Sequence, residues 1–447
     1  MTSDLRALLA AIVADPSDDV ARLVYADCLE EHGNAARAAF IRLQIEAERH
    51  HPDSGARAAL ESQARALFAE HWTEWWSEVC AATGLEPPVP RPHGRLGRLA
   101  TRAGLRPNPG EPYFAAGFTV GRIGPGDMRE LWPLVRFCRG FPDCIGPGLN
   151  APALLSAWFE VSPLLSLTLR WDAGARFDRA NLRHVRALTL IGYDLTILSG
   201  ILQSQAFERL ESLSLEEGPP DPLGGADLAS HFYGMLSPIG LAGVLATTRT
   251  RQLKRLSLRV WSEYTATALA GSENLTELES LTLSVGNDRE ETGRSLAELA
   301  ASPHLANLKE LSVIGGIDPN GLAAVLRGRW TGLRSLTLDL QPQQTALAAL
   351  AEADALHALD ELRLLNVDLN GTIAADLNRS ALLKRVRHFA LNGSPVDRTT
   401  LPRVVEAVDR DRIETFALLL RPSEPLRDYA AELLRRWFGD RARIVSG

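Results

Sequence analysis

Leu333-Arg334-Ser335-Leu336-Thr337-Leu338 carries the arrangement that decides the fold: leucines at its first, fourth and sixth positions, with polar residues between them. The last three alternate apolar, polar, apolar, which is the period of a short strand that buries one face. Working outward, the unit returns upstream as Leu278-Glu279-Ser280-Leu281-Thr282-Leu283 and downstream as Leu359-Asp360-Glu361-Leu362-Arg363-Leu364. Ten apolar pairs with one residue between them recur, most with a leucine three positions earlier: Leu167/Leu169, Leu188/Leu190, Leu213/Leu215, Leu256/Leu258, Leu281/Leu283, Leu311/Val313, Leu336/Leu338, Leu362/Leu364, Phe389/Leu391 and Phe416/Leu418. Successive pairs are 21, 25, 43, 25, 30, 25, 26, 27 and 27 residues apart. Intervening stretches such as Gly321 to Leu326 and Thr345 to Leu350 have helical composition. Each unit therefore reads as strand, turn and helix, and is too small to bury its own apolar face. Neighbours must stack, with strands in register along one side and helices along the other.

Over roughly residues 160 to 420 the chain resembles the leucine-rich-repeat family. The resemblance implies an α/β solenoid, a horseshoe with parallel strands on its concave face and helices on its convex face. One departure stands out. The family places asparagine three residues after the second apolar position, where its amide bonds the adjacent turns. That column here reads Asp172, Tyr193, Gly218, Trp261, Gly286, Gly316, Gln341, Val367, Ser394 and Arg421, so the turns must be satisfied in another way.

Before the repeats, residues 1–83 read as helices over Leu5 to Ala14, Asp19 to His32, Ala35 to His50 and Gly55 to Thr83. Arg22-Leu23-Val24-Tyr25-Ala26-Asp27-Cys28-Leu29-Glu30-Glu31-His32-Gly33-Asn34, followed by Arg37-Ala38-Ala39-Phe40-Ile41-Arg42-Leu43-Gln44, resembles the small helical repeat-companion domain that accompanies repeat arrays in certain bacteria. Cys28 stands where that motif leads one to expect tryptophan. Residues 84–114 hold seven prolines and five glycines and read as a linker separating two cores. Residues 115–447 read as the repeat domain, opened by a capping strand over Gly117 to Ile123 and closed by a capping helix over Leu426 to Phe438.

Composition narrows the function. The 447 residues are 45% hydrophobic and 23% charged, as in a globular protein, and the formal charge of −7 opposes a general role in coating nucleic acid. Four cysteines without a C-x-x-C pair point to a reducing compartment and away from structural zinc. No run approaches the roughly 20 apolar residues of a membrane helix. The sequence thus predicts a cytoplasmic, bacterial protein with no membrane partner.

Candidate chemistry is thin. Cys138 and Cys144 have five residues between them and no second ligand cluster beside them, and His50-His51 lacks partners for a metal. Gly121-Arg-Ile-Gly-Pro-Gly126 lacks the ending of a phosphate loop. Cys28 and His32 share a helix face at i,i+4, so an enzyme or enzyme regulator acting through a thiolate is one alternative. Arg91, Arg95, Arg98, Arg102 and Arg106 recur every three or four residues and offer an acidic partner, protein or nucleic acid, a place to dock.

The informative column lies between the paired apolar residues, on the opposite strand face. It reads Thr168, Thr189, Ser214, Ser257, Thr282, Ser312, Thr337, Arg363, Ala390 and Ala417. Glu216, Arg255, Arg259, Glu310, Asp339, Glu361 and Arg363 decorate that wall. The 43-residue gap holds His231-Phe232-Tyr233-Gly234-Met235 and is either an insertion or a degenerate repeat, with Trp261 just beyond it. The sequence therefore predicts a non-enzymatic scaffold, without catalytic, cofactor or metal residues. A protein partner would bind the wall and the 217–250 insertion through Glu216, Phe232, Tyr233, Arg255, Arg259, Trp261, Glu310, Asp339, Glu361 and Arg363.

Overall fold

A computed structural model describes residues 2–15, 18–51, 54–83, 118–120, 135–138, 141–145, 166–170, 185–191, 198 and 207–216. It also describes 238–446 apart from 247, 259–262, 285–288, 316, 318, 341–346, 352, 354, 368, 394–396 and 421–425. The chain divides into two units, one built on Met1–Pro52, Ala56–Ile191 and Ser204–Leu210, the other mainly on Glu211–Gly447.

The first unit begins with α1 (Ser3–Ala14), α2 (Asp19–Glu31), α3 (Ala35–Glu48) and α4 (Gly55–Thr83), at the positions the helical pattern predicts. Each of the first three opens on a side-chain cap. Thr2, Asp18 and Asn34 accept from the backbone N–H of Leu5, Val20 and Arg37, which satisfies donors the helix leaves free. Gly33 takes the left-handed turn after α2 at φ 85°. Leu5, Leu9, Ile12, Tyr25, Leu29, Ile41 and Ile45 form the core, with Phe40, Phe68 and Trp75 packed ring to ring. β1 (Phe118–Val120), β2 (Val135–Cys138) and β3 (Phe141–Ile145) are antiparallel neighbours. β4 (Ser166–Arg170) and β5 (Ala187–Ile191) continue in parallel, and Leu167 pairs with Leu188.

In the second unit the leucine columns become a parallel sheet in chain order: β6 (Ser212–Glu216), β7 (Arg255–Leu258), β8 (Ser280–Ser284), β9 (Glu310–Ile314), β10 (Ser335–Asp339), β11 (Glu361–Val367), β12 (His388–Gly393), β13 (Thr415–Leu420) and β14 (Ala442–Ser446). Leu213, Leu256, Leu281, Leu311, Leu336, Leu362, Phe389 and Phe416 sit opposite one another strand by strand, and all are buried. Between the strands run α5 (Pro238–Leu245), α6 (Glu263–Ala270), α7 (Arg289–Ala301), α8 (Pro319–Leu326), α9 (Ala348–Ala351), α10 (Gly371–Arg379), α11 (Thr400–Ala407) and α12 (Arg427–Phe438).

Two devices hold the repeats in register. At the strand entrances one carbonyl accepts two N–H groups from the next repeat: Glu211 from Lys254 and Arg255, Lys254 from Glu279 and Ser280, Glu279 from Lys309 and Glu310, and so on to Arg387 with Glu414 and Thr415. Side chains in that column are charged, and neighbours of opposite sign give the ion pairs Lys254–Glu211 at 3.8 Å, Lys309–Glu279 at 2.7 Å and Arg387–Glu414. These pairs are half exposed and screened by solvent, so they add little stability and serve mainly to match neighbours. At the helix ends, carbonyls without an intrahelical partner are met from the following repeat. Asn274 donates to Leu245 at 2.9 Å, Ser302 to Ala270 at 2.6 Å and Ser380 to Leu350 at 3.0 Å. In the asparagine column only Val367 is described, as a buried residue extending β11.

One expectation changes. α12 forms as predicted, but Gly439 then turns the chain at φ 60° and β14 pairs in parallel with β13, so the last element of the sheet is a strand and not the helix. β6 and β7 are direct hydrogen-bonded neighbours, so no strand lies between them in the sheet. Of the residues that join them, Pro238–Leu245 is helical, and 217–237 lie outside the described residues.

Candidate functional site

In a strand, residues two apart share a face. Opposite the buried leucines of the second unit, two largely polar rows and a mixed third therefore run across the sheet. The first is Arg255, Ser280, Glu310, Ser335, Glu361, His388 and Thr415. The second is Ser214, Ser257, Thr282, Ser312, Thr337, Arg363, Ala390, Ala417 and Arg443, and the third includes Ser284, Ile314, Asp339 and Leu365. From Ser257 to Arg363 the second row is half-buried, whereas Ala390 and Ala417 are buried. The change of residue type in the sequence column is thus a change of exposure.

Two carboxylates organise the middle of this wall. Glu361 accepts from the Ser335 hydroxyl at 2.9 Å and from Arg363 Nε at 2.6 Å. Asp339 accepts from Asn366 Nδ2 at 2.6 Å and from the Gly315 amide at 3.2 Å, tying the ends of β9, β10 and β11 together. The register of β11 shifts between Leu364 and Val367, and Asn366 stands there in the left-handed region at φ 54°. Asparagine tolerates that conformation, and the Asp339 bond fixes it. Further along, Thr415 Oγ1 lies 2.9 Å from His388 Nδ1. Burial pushes the His388 pKa down despite Glu414, so the ring is neutral near pH 7.

The structure joins Glu361 to Arg363 and sets Asp339 on the same face two strand positions along, bonded to its own partners. Glu310 and Arg255 are exposed in the first row, with Ser335 between Glu310 and Glu361. Glu216 lies at the end of β6. Arg259, Trp261, Phe232, Tyr233 and the linker arginines fall outside the described residues. Ser335, His388, Thr415 and Asn366 belong to the wall but escape a reading confined to the column between the leucines. Stepping two residues back along each strand finds the first three.

Cys28 and His32 do meet at the end of α2, with Sγ 3.7 Å from Nδ1. The same Nδ1 lies 2.7 Å from the Cys28 carbonyl, an acceptor, so it carries the proton and cannot take one from the thiol. Partial burial, then Glu31 and Asp4, push the thiol pKa up, the reverse of an activated nucleophile. Among the described residues no three histidine, cysteine or acidic side chains gather to hold a metal, and no helix is long and apolar enough to cross a membrane.

No family model and no curated protein matches the chain. Solved structures similar to it include a Bacteroides fragilis protein determined by a structural genomics consortium. It is 15% identical with a TM-score of 0.34, over 60% of this chain and 66% of that one. The match spans just under two thirds of that protein, and likeness at this level carries no argument about fold or function.

Proposed function

We propose that the protein is a non-enzymatic leucine-rich-repeat scaffold of the bacterial cytoplasm, which holds a protein partner against the polar wall and the adjoining insertion at 217–250. The observation that carries this reading is the half-exposed row Ser257, Thr282, Ser312, Thr337 and Arg363, mounted on hydrogen-bonded parallel strands. A rigid sheet loses little entropy when a partner settles on it, and hydroxyls hydrogen-bond without the desolvation cost of full charges. Size supports the role of the insertion. Five strands about 4.8 Å apart and three rows about 7 Å apart give a patch of roughly 20 by 13 Å, or about 260 Å². A stable complex covers about 800 Å² on each partner, so neighbouring loops must contribute. The raised Cys28 thiol speaks against the enzyme alternative, and the negative net charge against nucleic acid.

Binding energy concentrates in buried aromatic and arginine anchors. Arg363 is already engaged by Glu361, whereas Trp261 and Arg259 adjoin the insertion in sequence. Trp261→Ala or Arg259→Ala is expected to weaken the complex by about 2 kcal/mol or more, roughly 30-fold, and Arg363→Ala by a few-fold at most. Titration calorimetry with the captured partner measures the order. Three variants that bind like the unmodified protein would contradict the proposal.

A further inference from the structure

Phe141 opens β3, and its register partner Cys138 closes β2, so the phenylalanine stands at the tip of an antiparallel hairpin. Its side chain is 1% exposed and belongs to the core of the helical module, with Leu9, Leu29 and Ile41. The Tyr25 ring lies 5.3 Å from it at 47°. Arg22 of α2 and Arg37 of α3 each bring Cζ to 6.0 Å from its ring centroid, and they are only 2% and 8% exposed. Arg37 is ion-paired with Glu78 of α4, and Arg22 Nη1 donates to the Asp18 carbonyl at 3.4 Å.

Packing three helices requires apolar residues at helical spacing. It does not require two buried guanidinium groups, whose desolvation is costly. Beyond the bond of Arg22 to Asp18 and the pair of Arg37 with Glu78, the long polar residues Arg22, Tyr25 and Arg37 of the companion-like motif share one neighbour, and all three converge on Phe141. An aromatic ring is the group that suits them: its face attracts guanidinium planes, its edge packs against tyrosine, and its body fills an apolar pocket.

We infer that the pocket between α1, α2 and α3 is a binding site for an aromatic side chain presented by a β-hairpin, and that Phe141 is its ligand in cis. The companion-like motif is then a recognition motif, and residues 1–83 are held to the β2–β3 hairpin by a defined contact instead of hanging from the linker. This inference is independent of the wall and its partner.

The test uses the full chain with a site-specific protease site inserted between Gly104 and Leu105. After native cleavage the unmodified protein is expected to keep its N-terminal fragment through size-exclusion chromatography. Phe141→Ala, checked for folding by circular dichroism and a cooperative melt, removes the whole ligand and should loosen the fragment on the order of a hundred-fold, so that it elutes separately. Should that variant not fold, Phe141→Leu keeps apolar volume but loses the ring, and the fragment should leave at least about ten-fold faster. Release of the fragment from the unmodified protein, or equal retention by the unmodified protein and the folded variant, would overturn the inference.

Discussion

Phe416→Ala is expected to destabilise the C-terminal repeats by about 3–5 kcal/mol, the usual range for deleting a buried phenylalanine. Phe416 is fully buried. It meets Phe389 edge-on at 5.4 Å on one side and stacks on Phe438 of α12 at 4.9 Å on the other. Alanine removes both ring contacts at once and leaves a cavity lined by two other rings, which cannot close over it without moving β12 or α12. Since each repeat is stabilised largely by its immediate neighbours, the damage should stay local. Hydrogen exchange is expected to speed up in β12 to β14 and α12 while β7 to β9 keep their protection, and denaturant unfolding should acquire an early phase. Uniform loss of protection across the second unit, or a loss below about 1 kcal/mol, would mean that the three rings are not the keystone of this end.

A smaller-looking change should cost nearly as much. Gly328 is buried after α8, and a methyl group there would overlap the indole of Trp330. That indole is 3% exposed and donates from Nε1 to the Val325 carbonyl at 2.8 Å, so it has no room to retreat and a bond to lose if it does. Overpacking together with an unmet buried donor puts Gly328→Ala at about 2–4 kcal/mol. Gly371 is the control. Nothing lies within 4 Å of the position its Cβ would take, so Gly371→Ala at the start of α10 should be neutral or slightly stabilising. Thermal melts of the two variants side by side measure the difference, and similar melting temperatures would refute the packing argument.

How much of this was legible in the sequence follows from the range of each interaction. The strands and their register could be read because the pattern is local and repeated: Leu281, Leu311 and Leu336 occupy equivalent places in their units and end as cross-strand partners. β14 could not, because Ala442-Arg443-Ile444-Val445-Ser446 lacks the leading leucine and follows a helix that looks like an ending. The contact of Phe141 with Tyr25 was invisible for another reason: more than a hundred residues separate them, and no periodicity encodes such a meeting. Within the wall, residue identities could be read but their bonds could not. Asp339 looked like one member of a charged patch, yet it is spent on Asn366 and Gly315, a geometry that depends on the bulge in β11.

The central claim is that a protein partner sits on the polar wall, and site-directed photocrosslinking tests it most directly. A photoreactive phenylalanine analogue replaces Thr337, half-exposed in the middle row, in one variant and Asn320, exposed on α8, in another. Each is irradiated in native cells and the adducts are separated by mass. The account predicts one defined protein adduct from position 337 and none from position 320. Adducts from position 320 with none from position 337 would contradict it.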